Sequence, residues 1–96
     1  MSYAVFATYT VRAGEEEAVI EALEAMTPLT RGEQGCLVYV AHRSAEDPTV
    51  FFLYEQYVDE DAFKAHVASE HFERHIKGVV WPRLDDRVRL IGAPLA

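Results

Sequence analysis

A chain of 96 residues, half of them hydrophobic and 26% charged, is long enough for one folded domain and too apolar for a disordered one. Its 9 Lys and Arg against 16 Asp and Glu leave a net charge of −7, which argues against nucleic acid or an anionic membrane as partner, since both are held by basic patches. A single cysteine, Cys36, excludes an intrachain disulfide and fits a cytoplasmic location, and no apolar run approaches the ~18–20 residues of a membrane span.

Tyr3 to Val11 alternates and reads as a first strand, with Tyr3, Val5, Ala7, Tyr9 and Val11 on one face. It lacks the basic start of a secretion signal. Gly14 breaks it, and Glu15, Glu16 and Glu17 suit the positive end of a helix dipole. Val19, Ala22, Leu23 and Met26 form one stripe of that helix. Pro28 is expected to end or kink it near Met26, with a short turn to Arg31. Gly35 precedes a second strand, Cys36 to His42, and Ser44 to Pro48 has hairpin-loop chemistry.

Val50 to Val58 is rich in aromatic and β-branched residues and reads as a third strand. Phe51, Leu53, Glu55 and Tyr57 share one face; Val50, Phe52, Tyr54, Gln56 and Val58 share the other. Asp59 is placed to cap a helix in which Ala62, Phe63 and His66 align. Ser69 restarts the helix, with Phe72, His75, Ile76 and Val79 in line. Pro82 ends it, Arg87 to Ile91 is a final short strand, and Gly92 to Ala96 is a tail. The order β-α-β-β-α-β predicts an α+β, ferredoxin-like domain with a four-stranded antiparallel sheet and helices on one face. The strands carry large apolar groups on both faces, so the uncovered face predicts a homodimer.

Most of the polar chemistry lies between the third strand and the helices after it. Glu55 is a carboxylate among large apolar side chains, suited to catalysis, to orienting a histidine, or to a structural bond. His66 and His71 are candidate general bases, because an imidazole's ordinary pKa of ~6.5 suits proton transfer at neutral pH. His71 and His75 have i, i+4 spacing, but without a further ligand at metal spacing no metal site is assigned. Tyr54, Tyr57, Phe72 and Trp81 are pocket candidates, or plain core. Cys36 reads as a small buried hydrophobe. No GxGxxG, GxSxG or phosphate loop is present, so no nucleotide, flavin or serine-hydrolase chemistry is predicted.

Three stretches resemble the antibiotic biosynthesis monooxygenase family of the dimeric α+β barrel superfamily. They are Glu33-Gln34-Gly35-Cys36-Leu37-Val38-Tyr39, the Phe52-Leu53-Tyr54-Glu55-Gln56-Tyr57 strand, and Asp61-Ala62-Phe63 with His66, Ser69, His71 and Phe72. The chain departs from the family at Tyr57, where many members have Trp, and at Gln34, where Pro is frequent. The resemblance implies two sheets packed face to face across a dimer and a pocket between sheet and helices. It implies oxidation of a quinol or polycyclic phenol by O2 without cofactor. His66 or His71 would be the base, Glu55 would hold it in one tautomer, and Tyr57 would bond the phenolate. Tyr54, Phe63, Phe72 and Trp81 would bind the apolar aromatic substrate. The alternatives are a non-catalytic dimer that binds an apolar small molecule, and an isomerase of a small sugar-like metabolite. Haem-degrading relatives use an Asn–Trp–His set, and this chain has no Asn.

Overall fold

In a computed structural model that describes all 96 residues, the chain forms β1 (Tyr3–Val11), α1 (Glu16–Arg31), β2 (Cys36–Arg43), β3 (Val50–Tyr57) and α2 (Glu60–Val67). A third helix, α3 (Phe72–Val80), is wound as a π-helix and runs into one short tight turn, Trp81–Arg83, before β4 (Leu84–Gly92). The sheet order is β2-β3-β1-β4 with every neighbouring pair antiparallel, and the helices pack on one face. This is the expected ferredoxin-like α+β arrangement. No helix is long and apolar enough to cross a membrane.

Register fixes which side chains share the helix-facing side. Val5 pairs with Glu55, Ala7 with Leu53 and Tyr9 with Phe51, while Tyr39 of β2 stands beside Glu55. These inner residues are buried, together with Val19, Leu23 and Met26 from α1 and Phe72, Ile76 and Val80 from α3. The other face carries Phe6, Phe52, Val88 and Leu90, each at least 41% exposed, so an apolar sheet surface stands without a helix over it. Tyr54 belongs to that outer face. Its ring stacks on Phe6 at 4.9 Å and its hydroxyl donates to Gln56.

Three boundaries differ from the sequence expectation. α1 does not end near Met26 but runs through Pro28 to Arg31. Proline forfeits one backbone bond, but the helix continues: Thr30 extends the buried stripe, and the Arg31 side chain donates to the Tyr39 carbonyl. In α3 the buried stripe is Phe72, Ile76 and Val80, not Val79, because each turn of a π-helix takes in an extra residue; the Trp81 N–H reaches the Ile76 carbonyl. His75 is only half-buried. β4 starts at Leu84 rather than Arg87, since its pairing with β1 extends past a bulge at Thr10/Val11.

Both expected caps form. The Asp59 carboxylate accepts from the Ala62 N–H at 2.8 Å. The Ser69 hydroxyl accepts from the Phe72 N–H and donates to the His66 carbonyl, joining α2 to α3 at a tight corner. Before β2 the chain passes very close to α2: a Cβ on Gly35 would lie 2.4 Å from the Ala62 Cβ. Gly35→Ala is therefore expected to cost about 1–3 kcal/mol through overpacking. Combining it with Ala62→Gly should recover most of the loss. Denaturant midpoints of the two single variants and the pair check this; additive losses would show that the contact is not the cause.

Candidate active site

Five side chains from four parts of the chain form one connected row beneath α2. Glu33 lies in the turn after α1, Glu55 and Tyr57 alternate on the inner face of β3, His66 ends α2, and His71 opens the approach to α3. The Glu33 Oε2 contacts His66 Nδ1 at 2.8 Å and His71 Nε2 at 2.5 Å. On the far side of the His66 ring, Nε2 lies 3.6 Å from Glu55 Oε1, and that oxygen accepts from the Tyr57 hydroxyl at 2.7 Å. His66 is 2% exposed, enclosed by the rings of Tyr39, Tyr57, Phe63 and Phe72.

The charges along this row differ by environment. Burial raises the Glu33 carboxyl, but the hydrogen bonds from His66 and His71, aided by their charge, outweigh it and leave the group below the usual carboxylate range. A carboxylate only accepts, so both contacting nitrogens carry protons. For a neutral ring that fixes the His66 tautomer: Nδ1–H faces Glu33, and Nε2 lies on the Glu55 side. Burial raises the Glu55 pKa, only partly offset by the Tyr57 hydroxyl. Burial also raises the Tyr57 phenol, and the nearby Glu55 charge adds to it, so Tyr57 stays a neutral donor.

Beside the row lies a cavity of about 290 Å³ between sheet and helices. Phe63, Phe72 and Trp81 line it, with Tyr9 on the sheet side, and Glu55 is the carboxylate that faces it. Phe72 and Trp81 meet edge to face at 5.7 Å. Of the candidates from sequence, Glu55, Phe63, Phe72 and Trp81 reach this cavity. His66, His71 and Tyr57 stand behind Glu55 rather than in the cavity wall. Tyr54 is on the opposite face of the sheet, because alternation sends it away from Glu55. Sequence reasoning missed Glu33 as a site residue; it lies 33 and 38 positions from its histidines, and only the resemblance motif that contains it pointed there.

Glu33, His66 and His71 also present three metal-ligand atoms within 4.8 Å of one another. Both nitrogens are already bonded to one carboxylate oxygen at 2.5–2.8 Å. An ion about 2.1 Å from each atom would need these contacts to open.

This fold and row define a small ferredoxin-like domain with an acid–histidine site beside an aromatic cavity. Residues 2–78 match the model of the antibiotic biosynthesis monooxygenase family, and the chain belongs to that family. A solved structure from Pseudomonas aeruginosa is similar at 32% identity and a TM-score of 0.91, covering 99% of this chain and 95% of that one. One from Mycobacterium tuberculosis has 29% identity and a TM-score of 0.91, over 100% and 97%. One from Nitrosomonas europaea, provisionally named an antibiotic biosynthesis monooxygenase, has 26% identity and a TM-score of 0.93, over 98% and 90%. Among curated proteins none matches.

Glu33 gives the site a pH signature. Its folded pKa is depressed, so its contribution to stability is present above the ordinary carboxylate pKa and lost as pH falls through the folded value. Glu33→Gln should therefore lower the melting temperature near neutral pH, with the gap to the parent closing as pH falls through and below the ordinary carboxylate range. Thermal scans across that range check this; a gap independent of pH would count against an ionised Glu33.

Proposed function

We propose that the protein is a cofactor-independent monooxygenase that oxidises a quinol or polycyclic phenol with O2, working as a homodimer in the cytoplasm. The observation that carries this reading is Glu55, a carboxylate raised in pKa by burial, facing an aromatic-walled cavity with His66 Nε2 behind it. Family membership supports the reaction class, and the lone thiol of Cys36 suits a reducing compartment.

The substrate ring lies among Phe63, Phe72 and Trp81 with its hydroxyl on Glu55. A carboxylate with a raised pKa is a stronger base, and it takes the phenolic proton. His66 Nε2 can accept that proton onward, since Glu33 holds its other nitrogen protonated; His71 in turn holds Glu33. The histidines thus act through Glu55 rather than on the substrate directly. Tyr57 keeps the Glu55 oxygen in place. The phenolate passes one electron to O2, and the phenoxyl radical and superoxide combine in a new C–O bond. The peroxide regains the stored proton. Its O–O bond then breaks as the ring carbon gives up its hydrogen as a proton. One oxygen stays as the quinone carbonyl, and the other leaves as water.

Glu55→Gln keeps an acceptor for Tyr57 but removes the base. It should retain the fold and lose about 10²–10⁴-fold in oxygen uptake with naphthol or quinol substrates. Unchanged uptake would place the base elsewhere. Binding of such compounds by the parent protein without any uptake would instead identify a non-catalytic carrier.

The apolar outer face supports the homodimer, because Phe6, Phe52, Val88 and Leu90 have no helix above them. Covering it requires an interface of the obligate class, about 2,000 Å² or more. Sedimentation at micromolar concentration is expected to give a species of twice the 10.9 kDa chain mass. A stable monomer would rule the dimer out.

A further inference from the structure

The cavity holds a second polar feature that the oxidation chemistry does not use. β4 pairs Arg87 with Tyr9 and Arg89 with Ala7, which puts both arginines on the helix-facing side, and both line the cavity with Glu55. Arg87 lies over the Trp81 ring at 3.6 Å, and Arg89 lies 5.5 Å from the centre of the Phe63 ring. Stacking on an aromatic face steadies a guanidinium while leaving its in-plane N–H groups free to donate.

Neither arginine has a carboxylate within 4.0 Å. The ion pairs of this chain join Glu60–Lys64, Glu70–Arg74, Glu73–Lys77, Glu15–Arg83 and the histidine row. This is so although acids outnumber Lys and Arg by 16 to 9. Neither donates a side-chain hydrogen bond within the chain, whereas Arg12, Arg31, Arg43, Arg74 and Arg83 all do. Glu55 is near enough for Arg89 to pull its pKa down, but burial prevails and leaves it raised. One carboxylate, already bonded to Tyr57, does not satisfy two guanidinium groups. Both arginines are exposed, at the open rim of the cavity, and two forks free of intrachain partners beside an aromatic wall fit a planar, two-oxygen anion.

We propose that Arg87 and Arg89 form an anion subsite, and that the ligand of this cavity is a hydroxyarene carrying a carboxylate. Its hydroxyl meets Glu55, its ring lies among Phe63, Phe72 and Trp81, and its carboxylate meets the two arginines. This rests on the reading above for the hydroxyl end only. A bicyclic acid is of a size to enter a cavity of about 290 Å³.

Trp81 is the only tryptophan, and it lies under Arg87, so its fluorescence reports binding without turnover. The experiment is an anaerobic titration of the full chain with a hydroxynaphthoate whose two groups lie at opposite ends of the ring system, and with its neutral carboxamide. The acid is expected to bind at least ~10-fold tighter than the amide. That preference should shrink as salt is added. It should vanish in Arg87→Gln/Arg89→Gln, with amide affinity unchanged within about 2-fold. Equal affinity for acid and amide, no binding of the acid, or a preference that survives both substitutions overturns the subsite. Because O2 is absent, the outcome is separate from the oxygenase reading. Arginine-dependent binding without oxygen uptake in air would leave the subsite standing and sink the oxygenase; oxygen uptake with a naphthol alongside equal affinity for acid and amide would do the reverse.

Discussion

The shared Glu33 oxygen is the contact on which the site depends. Two imidazoles donate to one carboxylate oxygen, so the turn after α1 is tied at once to the end of α2 and the approach to α3. Without that bond His66 would be a buried ring with no fixed tautomer, and its second nitrogen would have no defined role toward Glu55. The approach that makes it feasible is steric. Gly35 lets the backbone pass against Ala62, and a side chain there would push the turn, and Glu33 with it, away from the histidines.

Buried charge is costly unless every member is bonded. The row meets that condition unevenly. Glu33 accepts from two imidazoles and stays ionised, while Glu55 has one hydroxyl and a nitrogen beyond hydrogen-bond distance. Two carboxylates flanking one imidazole are thereby pushed apart in pKa. This is the arrangement by which one site can hold a fixed anion at one end and an exchangeable proton at the other. The exchangeable end is the one that faces the cavity.

The pleat of the sheet separates two kinds of surface. Inner positions of β1, β3 and β4 carry the core, Glu55 and the two cavity arginines, while outer positions carry the apolar patch. Successive residues of a strand point to opposite sides, so the apolar patch and the cavity side chains lie on opposite faces of one sheet.

The sequence by itself determined the elements, the ferredoxin-like order and the pairing of Glu55 with Tyr57 on one strand face. These follow from local periodicity, caps and breakers, which act over a few residues. The same alternation separated Tyr54 from Glu55, though it did not say which face the helices would cover. Packing decided that, and with it that Tyr54 lies outside the cavity. Packing also carried α1 through Pro28, where the last turn packs Thr30 inward and ties Arg31 to the Tyr39 carbonyl. It shifted the α3 stripe to Val80 by π winding. The partnership of Glu33 with His66 and His71, and the gathering of Arg87 and Arg89 beside Glu55, belong wholly to the tertiary structure. They join residues more than 30 positions apart, and a pattern read along the chain has no term for distances that only the folded sheet and its helices bring to a few ångströms.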